Sequence, residues 1–145
     1  MVVAYNNYHL DPSIMANLRV LIADDHELVR KGVRSLLESG NGYEVCFEAT
    51  NGQEAFEKTC ELKPDVVVLD LTMPIMSGFE SARKIKQTCP AIPVLILSMH
   101  KNKHFMEEAK GIGVSGYVLK SEAASALLTA IDAAVQGKAF FPAEE

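Results

Sequence analysis

From about residue 18 onward the chain alternates between two hydrophobic periods. Residues Leu18–Ala23, Asp65–Asp70 and Val94–Ser98 are nearly continuous apolar runs. Runs of this length suit strands covered on both faces of a parallel sheet. Tyr43, Val45 and Phe47 alternate with Glu44, Cys46 and Glu48, as in a half-buried strand, and Ser115–Leu119 is a short fifth strand containing Gly116. Between these runs the period lengthens. Val29, Val33, Leu36 and Leu37 form a helical stripe within His26–Glu38. Asn51-Gly-Gln-Glu54 and Ser77-Gly-Phe-Glu80 are capping boxes that open two more helices, the first running toward Cys60 and the second ending before Pro90 and Pro93. A short polar helix over Lys101–Lys110 is stopped by Gly111 and Gly113. Ser121 is placed to cap a last helix carrying Ala124, Leu127, Leu128, Ile131 and Val135.

Five strand–helix units with short links predict an α/β domain over residues 18–139. The alternating second strand and the short fifth belong at the edges. Right-handed crossovers then favour a five-stranded parallel sheet in the order 2-1-3-4-5, doubly wound and flavodoxin-like. In that order strands 1 and 3 are neighbours at the switch point, where ligands bind outside the strand ends. Asp24-Asp25 and Asp70 follow or end these two strands. Three carboxylates in one crevice repel one another unless protons or a cation relieve them. The constellation therefore predicts a divalent-metal site with Asp70 as a candidate nucleophile. A simpler role for Asp24, as a helix N-cap with Glu27 three residues on, stays open.

Composition narrows the function classes. The chain has 145 residues, 48% hydrophobic, with a formal net charge of −5 and no basic cluster, which argues against nucleic-acid binding by this chain. Cys46, Cys60 and Cys89 are odd in number and form no CxxC pair, so they read as free thiols of a reducing, cytoplasmic setting. No apolar run is long enough to span a membrane. Residues 1–17 lack the signature of a signal peptide and contain a second candidate start at Met15. They are expected to be a poorly ordered N-terminal extension.

Taken in order, these residues resemble the receiver domain of two-component response regulators. Asp24 and Asp25 match the family's acidic pair, Asp70 its phospho-accepting aspartate, Ser98 its switch hydroxyl and Lys120 its lysine. Each stands at the end of a predicted strand. The wording Ile22-Ala-Asp-Asp-His26, Leu97-Ser-Met-His100 and Gly116-Tyr-Val-Leu-Lys120 is similar to that of the NarL/FixJ-like subfamily with LuxR-type output. There Tyr117 matches an aromatic switch position, although a core aromatic is an equally good meaning. The resemblance implies a phosphoacceptor rather than an enzyme, with Mg²⁺ as cofactor. Asp25, Asp70 and the backbone carbonyl of Thr72 would be its ligands, and Asp24 would act mainly through water. It also implies that Lys120 and Ser98 hold phosphoryl oxygens, that Tyr117 turns inward once Ser98 has moved, and that the partner is a sensor histidine kinase or phosphotransfer protein, with a homodimer as a further state. The parent protein would regulate transcription.

Some positions depart from the family. Lys120 is followed by Ser121 where many receivers have proline. Since a cis bond before a non-proline residue costs about 3–4 kcal/mol, a trans peptide is expected. Met99 is bulkier than the small residue many members carry and bears on access to an acyl phosphate. Residues 140–145 resemble the start of a linker to a helix-turn-helix domain that the sequence does not contain, which favours a receiver cut from a longer parent. His100 and His104 have ligand spacing but no obvious third partner. Two rivals share features. A haloacid dehalogenase-type phosphohydrolase needs a second Asp where Thr72 stands, and a flavodoxin needs a phosphate loop where Asp24-Asp25 would repel FMN.

Overall fold

The computed structural model describes residues 17–143, so the expectation for the N-terminal extension falls, but for Asn17, outside the described residues. Five parallel strands form one sheet: β1 (Leu18–Ala23), β2 (Tyr43–Ala49), β3 (Val66–Asp70), β4 (Val94–Ser98) and β5 (Gly116–Leu119). Their spatial order is β2-β1-β3-β4-β5, the topology expected from the apolar runs. The intervening helices are α1 (Glu27–Glu38), α2 (Gly52–Leu62), α3 (Gly78–Thr88), α4 (Lys103–Ile112) and α5 (Ala123–Val135).

Alternation along the central strands divides the interior into two layers. Leu21, Val67, Leu69, Ile96 and Tyr117 meet Ala55 of α2, Ala82 and Ile85 of α3, and Met106 and Ala109 of α4. Val20, Ile22, Val66, Val68, Leu95 and Val118 meet Val33 and Leu37 of α1 and Leu127, Ala130 and Ile131 of α5. All five residues of β3 are buried, and burying each of its four apolar side chains stabilises the fold by roughly 1.5–3 kcal/mol.

Several element ends differ from the sequence pattern, each for a local reason. β3 begins at Val66 because Asp65 is occupied at the strand entrance, where its carboxylate accepts the Arg19 N–H at 2.7 Å. α4 starts at Lys103, since Asn102 caps it by accepting the Phe105 N–H at 3.0 Å. It also runs past Gly111 to end at Gly113, whose φ is 96°. Ser121 does not cap the last helix. Lys120–Glu122 form a 3-10 turn, and α5 follows without a side-chain cap. The two capping boxes form as expected, with Asn51 accepting from Glu54 N and Ser77 from Glu80 N. Beyond α5 the chain returns to the sheet. Phe140 forms a parallel bridge to Gly116, with Tyr117 N–H donating to Phe140 O at 2.8 Å and Phe140 N–H to Ser115 O at 3.0 Å.

Candidate functional site

The carboxyl ends of β1, β3, β4 and β5 surround a cavity of about 410 Å³ lined by Asp25, Asp70, Thr72, Ser98, Met99 and Lys120, together with His26, Leu71, His100 and Phe105. Its walls follow from the local sequence. Gly78, the first residue of α3, lies so close to the end of β3 that a Cβ there would stand 2.0 Å from the Asp70 carbonyl oxygen. Its N–H donates to Leu71 O at 2.9 Å. Only glycine permits that approach, and it folds the loop carrying Thr72 against Asp70. On the other side Arg30 donates to the Asp24 carbonyl at 2.7 Å and pairs with Glu48, fixing the turn out of β1.

Asp24 is buried, with 2% of its surface exposed, and Asp70 with 6%. Lys120 Nζ stands 2.7 Å from Asp24 Oδ2 and 3.3 Å from Asp70 Oδ1, so one cation faces both carboxylates. Burial, and then the Asp24 charge, lift the Asp70 carboxyl above the ordinary carboxylate range, against the opposing pull of Lys120. Burial pulls the Lys120 ammonium down, but the two carboxylates outweigh it and hold the ammonium above its ordinary value. Asp25 lies at the rim with its side chain about one-third exposed. His26, which the sequence pattern did not single out, donates its backbone N–H to Asp24 Oδ1 at 2.8 Å. Its Nδ1 lies 3.1 Å from Asp24 Oδ1 and 3.2 Å from Asp25 Oδ1. Asp24 is therefore not the helix cap, since His26 occupies that position without a side-chain bond.

Ser98 is buried, and its Oγ accepts the His100 N–H at 3.1 Å. Tyr117 is fully buried, and its hydroxyl donates to His100 O at 2.6 Å. The ring thus already occupies the inward position. Burial raises the Tyr117 pKa, with Ser98 opposing. Met99 is 72% exposed at the cavity mouth. The Lys120–Ser121 peptide is trans, like every other described peptide bond.

Asp24, Asp25, His26 and Asp70 each offer a ligand atom, all within 4.8 Å of one another. Asp24 Oδ2 is buried without an aligned hydrogen-bond donor, its near neighbour being the Lys120 cation. Three clustered aspartate carboxylates facing a single lysine fit a small, hard divalent cation. His100 backbone groups serve Ser98 and Tyr117, and no metal-ligating cluster containing His100 or His104 occurs among the described residues.

Residues 20–132 match the family model described as the response regulator receiver domain. Over 127 residues the chain is 38% identical to the transcriptional regulatory protein LnrK of Bacillus subtilis, covering 88% of this chain and 58% of that protein. It is 36% identical to the response regulator VraR of Staphylococcus saprophyticus, again over 88% of this chain and 61% of the relative. The chain thus spans little more than half the length of these curated relatives. Among solved structures, a LuxR-family two-component response regulator from Aurantimonas sp. superposes with a TM-score of 0.82 at 40% identity, covering 86% of this chain and 89% of that one. The non-phosphorylated receiver domain of RcsB from Escherichia coli gives 0.81 at 30% identity, covering 88% and 99%. With a sheet of the required order and an acidic crevice at its switch point, the chain belongs to the response regulator receiver domain family, among receivers of the LuxR and NarL type.

Proposed function

We propose that this receiver accepts a phosphoryl group on Asp70 from the phosphohistidine of a sensor histidine kinase or phosphotransfer protein. The observation that carries the proposal is the placement of Lys120 Nζ between the buried carboxylates of Asp24 and Asp70 at the end of β3. An Asp70 oxygen attacks phosphorus, the P–N bond to the histidine breaks, and an acyl phosphate forms. Lys120 then pairs with a phosphoryl oxygen and offsets the charge that accumulates in transfer. Asp25, Asp70 and the Thr72 backbone carbonyl are the proposed direct ligands of Mg²⁺, with Asp24 acting through water. When bound, the ion neutralises the anionic site and the incoming phosphoryl oxygens.

The switch in this proposal is the hydroxyl of Ser98. Leaving His100 N–H for a phosphoryl oxygen would break the contact that now holds the 98–100 loop, and Tyr117 is tied to the same loop through His100 O. A local charge would then bias a two-state segment. The segment lies beside α4, β5 and α5, the proposed partner or dimer surface. In a longer parent resembling the transcriptional regulators above, the change would reach an output domain. Incubation with acetyl phosphate and Mg²⁺ should add one phosphoryl group by intact mass, and Asp70→Asn should abolish it. Undiminished labelling of that variant would refute the assignment.

A further inference from the structure

Cys60 and Cys89 face each other at the end of the domain opposite the acidic crevice. Cys60 lies in the last turns of α2 and Cys89 is the residue that closes α3, yet their Sγ atoms are 3.2 Å apart. Both residues are partly exposed, and both are free thiols. Cys89 opens onto a surface pocket of about 260 Å³ that it shares with Lys63, Thr88, Pro90 and Ile92, whereas Cys60 does not line it. Peroxide can therefore reach the Cys89 sulfur through that pocket, while Lys63 Nζ lies 3.4 Å from the Cys60 carbonyl oxygen. Burial, and then the neighbouring Cys89 sulfur, push the Cys60 thiol up to about 11.

We propose that Cys60 and Cys89 are a redox-modifiable dithiol, closed to an intramolecular disulfide by an oxidant of the hydroperoxide class. The Cys89 thiolate attacks the terminal peroxide oxygen, the O–O bond breaks, and the leaving oxygen takes a proton as alcohol or water. Cys89 is then a sulfenic acid. Cys60 gives up its proton and attacks the Cys89 sulfur, the S–O bond breaks, and that hydroxide leaves as water. Two thiols lose two electrons and the peroxide gains them. In a reducing compartment such a bond is transient, which suits a sensor more than a staple.

The bond would act on a helix pair that is already tied at its other end. Gly52 N–H donates to Met76 O at 3.0 Å and Ser81 Oγ to Gly52 O at 2.8 Å, so α2 and α3 meet at the loop that follows Asp70. Closing the far end makes the pair one cross-linked unit.

The test uses the full chain. Stoichiometric hydrogen peroxide, followed by thiol alkylation and peptide mapping, should yield a linked Cys60–Cys89 peptide with Cys46 still alkylatable, and dithiothreitol should reverse it. Cys46→Ser should retain the link, while Cys60→Ser should stop at a sulfenic acid on Cys89, trapped by a sulfenate-selective nucleophile. The oxidised wild type should melt on the order of 10 °C higher, as expected for closing a loop of this length. Three thiols that stay equally alkylatable, a link that uses Cys46, or a sulfenic acid trapped on Cys60 in Cys89→Ser would overturn the proposal.

Discussion

Ile75 carries a backbone φ of 70° although it is β-branched, and its side chain is 81% exposed in the loop between β3 and α3. A residue of this kind in the left-handed region costs roughly 1–2 kcal/mol, and its exposed side chain returns little by burial. Ile75→Gly should therefore raise stability by about 1 kcal/mol, read as a higher urea midpoint with an unchanged slope. A lower midpoint would mean the side chain contributes packing that its exposure hides. At this scale the acidic residues were legible in the sequence because strand ends deliver them in chain order. His26 was not. Its approach to Asp24 and Asp25 depends on the tight turn between β1 and α1, which no hydrophobic period encodes. Tyr117 was ambiguous for a related reason, since an inward aromatic on an edge strand has the same pattern whether it fills the core or also bonds a switch loop through its hydroxyl.

Glu48 joins β2 to α1, accepting from Arg30 Nε at 3.0 Å and Arg34 Nε at 2.7 Å. Burial alone would push its carboxyl up, but the bonds from Arg34 and Arg30 outweigh that and hold it below the ordinary glutamate range. A carboxyl depressed in the folded state releases its proton more readily there than in the unfolded chain. Its stabilisation is complete above the ordinary glutamate value and is lost as pH falls through the depressed one. Glu48→Gln should thus cost about 1 kcal/mol at neutral pH, given a pair that is partly open to water. The cost should vanish in acid below the depressed value. Denaturant titrations at neutral and acid pH check this, and a penalty that persists in acid would point to lost packing instead. Element type and order were readable because each helix stripe and strand run is long. The ends were less so. Asn102 displaced the expected start of α4 because a capping amide outweighs two further polar residues, and a 3-10 turn at Lys120–Glu122 stands where Ser121 was expected to cap α5.

At the scale of the whole molecule, stability and charge are linked through the crevice. A cation that binds only the folded chain stabilises it by mass action, about 2.7 kcal/mol at one hundred times its dissociation constant. Mg²⁺ should raise the melting temperature of the wild type. In Asp25→Ala the increment should be largely lost, while the metal-free variant should be no less stable than the wild type because a like charge has been removed. An undiminished Mg²⁺ increment in that variant would place the ion elsewhere. The strand order was predictable at this scale because edge strands carry their own signatures, but the return of the chain at Phe140 to β5 was not, since a single bridge leaves no periodic trace. That bridge has a consequence for self-association. β5 is an outer strand, and exposed outer strands are templates for pairing with another chain. By taking Tyr117 N–H and giving its own N–H to Ser115 O, Phe140 covers part of that template. A Cβ on Gly116 would lie 2.5 Å from the Phe140 carbonyl oxygen, so Gly116→Ala should dislodge the cover. Light scattering on concentrated samples should then register aggregation that the wild type resists, making this one glycine a guard of colloidal stability as well as a seat for the departing chain.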